Sequence, residues 1–531
     1  MPTTVQNPIL PGSHPDPDII RVGEDFYLAT TTFEWLPGVR IHHSRDLVNW
    51  KLVAAPLDGK RIGNLHAVPD SGGNYIPSLS WHRGTFYLLY SEVYDGVWPW
   101  VANRTYLTIA PSIEGPWTEP VHLNSMAFDP ALFFDDDDRC YLLHLWMDYR
   151  AGKQQMRGIA IHELDLAGMQ LIGEARELFT SPPGFLNEGP HIFKRGGYYY
   201  LSTAIWGTWR QHATMVARAK KLTDPFEVDP ENPMLTSFDD ASHPLQKAGQ
   251  GCFLDIGEDQ WILAHHVGRF WPGVERCPLG RETCLQNIEW SEAGWPRIVG
   301  GWKFPNLSFS SPFEAEIEER DGLVLDSFEE AVLDPEWNTL REPAEESWLS
   351  LSRSPGRLSL RGRLPITSKV GQSLLARRWT QTQFTASTQI HFEPRNEATL
   401  AGLICYYDTM DFVWAAISRD ETEGRILSLI ERRPDRGFQE QFVAKASLPD
   451  GPIELKVAVS PEGMQFGWRT ETGDWTRLGD LLEVGHLSDE GLDGTKKGFT
   501  GSFIGLAAHD MQLEQAWAEF EWFRLTPGIE E

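Results

Sequence analysis

Cysteine is scarce. Five are present, Cys140, Cys252, Cys277, Cys284 and Cys405, an odd number without CxxC spacing, which argues against a disulfide framework and a cysteine-based zinc knuckle. The N-terminus lacks a basic segment followed by an apolar one, so the expected compartment is the cytoplasm, although a signal already removed would leave no trace. No apolar run reaches the ~20 residues that a membrane helix needs, and no membrane partner is expected. Positive charge is also short: 47 basic residues stand against 75 acidic ones, for a net charge of −28. With no Lys/Arg-rich run to neutralise phosphates, nucleic acid is not an expected partner, whereas a neutral ligand such as a sugar is not repelled. Helical periodicity is rare as well. What remains is a β-rich chain of 531 residues, long enough for two or three domains.

Aromatics are abundant, with 22 Trp, 13 Tyr and 27 Phe. Flat rings on a β-scaffold suit the apolar C–H face of a pyranose, although most of them are expected to fill core. A loose repeat runs through the first three hundred residues: FYLAT at Tyr27, FYLLY at Tyr87, CYLLH at Tyr141, YYYLS at Tyr200 and QWILA at Trp261, spaced by subtraction 60, 54, 59 and 61 residues apart. Each anchor follows a turn signal (GED, HRGT, DDDDR, KRGG, IGED), and several units close with a second turn, as in SRDLVNWKLV, SIEGPWTEPV and KLTDPFEVDP. The pattern predicts five small antiparallel sheets, a five-bladed β-propeller over residues 1–305. Residues 306–322 lack an anchor and read as a linker. From 323 to 531 alternation returns: Phe384, Ala386, Thr388, Ile390 and Phe392 oppose Thr385, Ser387, Gln389 and His391, and Ile453, Leu455, Val457 and Val459 oppose Glu454 and Lys456. Strands apolar on one face and wet on the other predict a β-sandwich. The fold class is therefore all-β, a propeller followed by a sandwich.

Three acids occupy comparable places ahead of the repeat anchors. Asp16 lies in NPILPGSHPDPD, Asp129 in AFDPA and Glu188 in NEGPH. The prolines flanking Asp16 are expected to hold it and Asp18 in extended backbone, pointing roughly the same way. Carboxylates brought by separate blades to one channel mouth can flank a bound sugar, as acid–base cleavage of a glycosidic bond requires. Read singly, each has a structural alternative: Asp16 caps a turn, Asp129 accepts backbone N–H groups, or Glu188 pairs with Arg195 or His191. The acidic run Asp135 to Asp138 lacks the spacing and glycine of a calcium loop, and His265 and His266 face opposite ways along a strand. No metal and no other cofactor is expected.

Taken together, NPILPGSHPDPD, the TTFEWLPG beginning at Thr31, AFDPA, NEGPH and RCPLGRET from Arg276 to Thr283 resemble glycoside hydrolase family 43. SLLARRW, AGLICYY and GFTGSFIG resemble the appended domain of its long β-xylosidase-type members. The resemblance implies an inverting mechanism with Asp16 as base, Glu188 as acid and Asp129 as the residue that raises the pKa of Glu188. It further implies that Arg281 binds substrate, with Phe33 and Thr208 lining the pocket; by its chemistry the guanidinium can fork to two sugar hydroxyls or hold a carboxylate in place. Tyr75 stands where many relatives carry the tryptophan of WAPDL, Trp146 is displaced by one position from the tryptophan of WDHR, and Gln250 replaces a histidine set between glycines. The sandwich segment Gly498 to Phe503 is expected to place Phe499 or Phe503 over the channel mouth and so enforce exo action. The substrate implied is a xylo- or arabinoxylo-oligosaccharide, cleaved by a β-D-xylosidase or an α-L-arabinofuranosidase. A carbohydrate-binding protein without catalysis is the alternative of another class. The sequence is compatible with a homo-oligomer.

Overall fold

In the computed structural model the chain is all-β, and the structure describes residues 2–59, 65–95, 100–126, 128–318, 322–437, 439–491 and 498–529. Residues 319–321 of the expected linker and Ala127 of AFDPA lie outside the described residues. Among the described residues no helix is long and apolar enough to cross a membrane. The chain divides into two compact units, Met1–Arg269 with Arg281–Glu318, and Phe270–Gly280 with Glu319–Glu531. Each is taken by itself below.

The first unit is a five-bladed propeller. Its blades are antiparallel sheets whose first strands are Asp18–Val22, Gly73–His82, Ala131–Phe134, Asn187–Arg195 and Leu245–Gly257. These five first strands touch one another in a closed ring, so they are the innermost strands of their blades. The sequence anchors fall on the second strands, as in Asp25–Thr30 and Cys140–Met147. Between blades lie apolar clusters, for instance Leu28, Ile41, Leu79, Leu88 and Tyr90 between the first two. At the ring's seam, Thr3–Gln6 pairs with Ser308–Ser311, tying the start of the unit to its end.

Each innermost strand is broken in the same way. Pairing with the second strand skips two residues between Pro15 and Asp18, Tyr75 and Ser78, Phe128 and Ala131, Glu188 and His191, and Gly249 and Cys252. The first skipped residue always has positive φ: Asp16 at 56°, Ile76 at 25°, Asp129 at 60°, Gly189 at 56° and Gln250 at 49°. The second is proline in four blades (Pro17, Pro77, Pro130, Pro190) and Gly251 in the fifth. A bulge is the one interior place where a strand tolerates proline, which has no N–H to give the ladder. This corrects the expectation of extended backbone at Asp16: left-handed strain here is held by its surroundings and concentrates at the channel mouth.

The second unit is a sandwich. One sheet runs Leu349–Ser350, Leu358–Arg361, Trp517–Pro527, Phe384–His391, Ile453–Ser460, Gly463–Thr470, Thr476–Leu482; the other includes Glu440–Ser447, Gly424–Arg432, Asp411–Asp420, Thr399–Asp408, Phe503–Asp510 and Ser373–Arg378. Phe384, Ala386, Ile390, Ile453, Leu455, Val457 and Val459 all enter one core. The polar face opposite is covered, not wet. Thr385, Ser387 and Gln389 are buried, with Thr385 donating to the Gly528 carbonyl and Gln389 bridging Trp522 and Glu521. Lateral hydrogen bonds satisfy these groups where water was expected. Trp271 and Leu279, from a loop between two strands of the fifth blade, also belong to the sandwich core, so a segment within 1–305 packs with the second unit.

Candidate active site

The start of the chain is pinned along the fifth blade. Leu10 bridges Thr283, His14 N–H donates to the Arg281 carbonyl, and Thr283 Oγ1 donates to the His14 carbonyl. Asp16 is thereby delivered, 3% exposed, beside Arg281. Arg281 Nη1 lies 2.5 Å from Asp16 Oδ1, and its guanidinium carbon sits 5.6 Å over the Phe33 ring. The backbone N–H of Asp16 donates to His266 Nδ1 at 3.2 Å. His266 stacks on His212 with ring centroids 4.9 Å apart, and His212 Nδ1 reaches the Gly207 carbonyl. Burial, with Arg281 nearby, holds His266 well below its usual pKa and pushes His212 down to about 3. Both rings are therefore neutral at ordinary pH, and Nδ1 of His266 is free to accept. Gly249 is required here, since a Cβ would come within 2.2 Å of His212.

Asp129, on the third-blade bulge, is 1% exposed. Its Oδ2 accepts the Gly189 N–H at 3.1 Å, while Oδ1 has no partner among the described residues. Its carboxyl is raised well above the ordinary range, first by burial and then by the charges of Glu188 and Asp16. That electrostatic coupling places the acids of three blades in one field. Glu188 is half-buried and pairs in register with Ala204. It precedes the bulge by one residue, so its equivalence to Asp16 and Asp129 is looser than the repeat suggests. Glycine suits position 189 because its φ of 56° is left-handed, and a Cβ there would also lie 3.2 Å from the Gln250 amide. Of the structural alternatives, the one for Asp129 is met by the Gly189 N–H, whereas Arg195 pairs with Asp259 and His191 approaches Asp18.

The rim is aromatic. Tyr75 packs edge-to-face with Phe33 at 5.2 Å and with Phe128 at 6.1 Å, and donates its hydroxyl to the Ser71 carbonyl. Burial, with Glu34 nearby, raises its pKa, so the hydroxyl keeps its proton. Thr208 lies half-buried in the turn after Tyr198–Ile205, at the same end of the blade as Glu188. Trp146 is on the second strand of the third blade, under the Arg157 guanidinium at 5.1 Å. In the sandwich, Phe503 is buried within a strand under Arg378, and Phe499 is half-buried ahead of it. Asp135 accepts from Lys194 and Tyr199, and Asp138 pairs with Arg83, so those acids are spent on cations and a phenol.

The sequence reading missed the His212–His266 stack, and it missed a cleft of about 530 Å³ lined by Trp206, Gln211, Pro233, Thr236, Phe238 and Asp239. Trp206 follows Ile205, the register partner of Asn187, so this cleft opens at the Glu188 end of the fourth blade.

A prediction follows from Asp129. A carboxyl whose folded pKa is raised contributes stability that is fully present below its unfolded pKa and is lost as pH rises through the folded value. Asp129→Asn, similar in shape and uncharged, should therefore melt at least as high as wild type at neutral pH, with the advantage shrinking in acid. A lower melting temperature for the variant at neutral pH would overturn this account.

Strained acids on separate blades, electrostatically coupled at the mouth of a closed ring and rimmed by aromatic side chains, define a glycoside hydrolase of the propeller type. Residues 5–296 match glycosyl hydrolases family 43 and residues 325–526 match the beta xylosidase C-terminal Concanavalin A-like domain; the chain belongs to this family. It is 38% identical to a beta-xylosidase of Bacillus subtilis (strain 168) over 98% of this chain and 99% of the other. It is 30% identical to a non-reducing end alpha-L-arabinofuranosidase of Bacteroides ovatus, over 98% and 94% respectively. The crystal structure of a xylan beta-1,4-xylosidase from Bacillus halodurans superposes with a TM-score of 0.93 at 39% identity, covering 98% of this chain and 100% of that one.

Proposed function

We propose that this glycoside hydrolase is an inverting, exo-acting enzyme that releases terminal sugars from xylo- and arabinoxylo-oligosaccharides, foremost as a β-D-xylosidase. The observation that carries the proposal is the field joining Asp129 to both Glu188 and Asp16. Asp16, ion-paired with Arg281, is the base that takes a proton from the attacking water. Glu188 is the acid that protonates the leaving oxygen. Because Asp129 and Glu188 repel each other when both are charged, the pair retains a proton at a pH where isolated carboxyls have lost theirs. Arg281 is committed to Asp16, which supports a role in fixing the carboxylate over one in binding sugar hydroxyls. Phe33, Tyr75, Thr208 and Gln250 surround the terminal sugar in this reading. The five cysteines are buried and none forms a disulfide, which fits a reducing compartment and short imported substrates.

The β-xylosidase assignment rests on the relatives with that name, and the α-L-arabinofuranosidase reading is favoured by the Bacteroides relative and by Tyr75 in the rim. Nitrophenyl β-D-xyloside and α-L-arabinofuranoside compared on one preparation decide between them. The expected result is a kcat/KM at least tenfold higher on the xyloside; the reverse order overturns the assignment.

Trp206 and Phe238 suit the sugars beyond the cleaved bond, since flat rings pack on pyranose faces. Trp206→Ala should raise KM for xylo-oligosaccharides by roughly 5- to 30-fold, the cost of one such contact of about 1–2 kcal/mol, while leaving KM for the nitrophenyl xyloside nearly unchanged. Equal effects on both substrates would remove the cleft from the binding path.

A further inference from the structure

One layer along the channel from the acids, the residue after each bulge forms a second ring: Asp18, Ser78, Ala131, His191 and Cys252, one from each blade. Three of the five carry ligand atoms. The carboxylate of Asp18, a ring nitrogen of His191 and Cys252 Sγ all lie within 4.8 Å of one another. Asp18 is 3% and Cys252 7% exposed. Asp18 Oδ2 accepts the Leu79 N–H at 2.7 Å, which orients the carboxylate and leaves Oδ1 turned to His191 Nε2 at 3.5 Å. Neither ring nitrogen of His191 has a hydrogen-bond partner among the described residues, and both are buried atoms.

The spacing is informative. At 3.5 Å an imidazole–carboxylate contact is too long to be a good hydrogen bond. Nitrogen and oxygen ligands at about 2.0–2.2 Å from one tetrahedral zinc ion lie roughly 3.3–3.5 Å apart, and a thiolate at about 2.3 Å lies slightly farther. Seating one ion requires the ligand atoms, within 4.8 Å of one another, to draw together by rotation of the Cys252 and His191 side chains. Ligation by side chains from three different blades also explains why no sequence spacing reveals the set.

We infer that Asp18, His191 and Cys252 form a binding site for a thiophilic divalent cation of the zinc type, with water in the fourth position. One carboxylate, one imidazole and one thiolate suit zinc over calcium or magnesium, which take oxygen ligands. Binding converts the Cys252 thiol to a thiolate and releases its proton to solvent. The ion joins the innermost strands of the first, fourth and fifth blades, and so acts on the closure of the ring. This site is separate from the proposed hydrolysis, which uses Asp16, Asp129 and Glu188. Without an ion, the alternative is that the Cys252 thiol donates to the Ile19 carbonyl at 3.6 Å and His191 is simply packed.

The test uses the full chain after treatment with a chelator and dialysis. Titration with cobalt(II) should give a sulfur-to-cobalt charge-transfer band in the near ultraviolet that saturates near one equivalent. Zinc should displace it and raise the melting temperature by several degrees, since an ion bound only by the folded state stabilises it. Cys252→Ala should abolish the band, His191→Ala should weaken zinc binding at least tenfold, and Cys284→Ala, which removes another buried thiol of the same blade, should change neither. Should either ligand variant fail to fold, competition of wild type with a chromophoric zinc chelator still measures stoichiometry and affinity. Absence of the band in wild type, a band that survives Cys252→Ala, or wild-type zinc affinity weaker than millimolar overturns the site.

Discussion

Glu188→Gln should hydrolyse xylobiose about 10²- to 10⁴-fold more slowly than wild type, the contribution expected of a general acid in the transition state. The same variant should lose far less on a glycoside with a nitrophenolate leaving group, because such a group departs with little need of a proton. Gln keeps the size of Glu and remains in register with Ala204, so the two rates compare chemistry and not folding. The pH profile adds a second check. With the titrating acid removed, the fall in activity on the alkaline side should disappear on the activated substrate, because that limb reports loss of the proton from the acid. Equal losses on both substrates, with an unchanged alkaline limb, would assign Glu188 to positioning and leave the acid to be found among its neighbours.

What the sequence made legible was set by short-range periodicity. The five aromatic anchors lie on second strands, which are buried along most of their length, and a strand of that kind shows in a single chain as a short unbroken run of aromatic and aliphatic residues. Asp16 and Asp129 could be picked out since each stands beside a proline ahead of an anchor. The prolines held more information than was read from them: Pro17, Pro77, Pro130 and Pro190 mark four of the five bulges, and Gly251 marks the fifth. Left-handed φ at Asp16 and Asp129 was not legible, because neighbouring prolines favour extended backbone and only the tertiary setting, such as the Arg281 and His266 contacts of Asp16, overrides that preference. The His212–His266 stack and the Asp18, His191, Cys252 ring join residues far apart in the chain, for which a single sequence has no signal. The covered polar face of Phe384–His391 fails for a related reason: period-two alternation tells polar from apolar, but not wet from hydrogen-bonded.

Asp16→Asn should lose about 10²- to 10⁴-fold in kcat on activated and unactivated glycosides alike, and this evenness separates a base from an acid. Water must be deprotonated as it attacks whichever group is leaving, so a better leaving group cannot rescue the variant as it rescues Glu188→Gln. Asn is the substitution of choice because Asp16 and Arg281 are both buried. Removing one partner of a buried ion pair costs about 3–5 kcal/mol, and Ala would confuse lost chemistry with lost structure, whereas the Asn amide oxygen can still accept from Arg281 Nη1. KM should move little, since the carboxylate acts on water and not on the sugar. In the wild type, if Asp16 activates water on the face opposite Glu188, the first-formed xylose from a β-xyloside should have the α configuration, which proton NMR reads before mutarotation. A β-anomer as first product, or an Asp16→Asn enzyme rescued by nitrophenolate as fully as Glu188→Gln, would remove Asp16 from the role of base and with it the inverting mechanism.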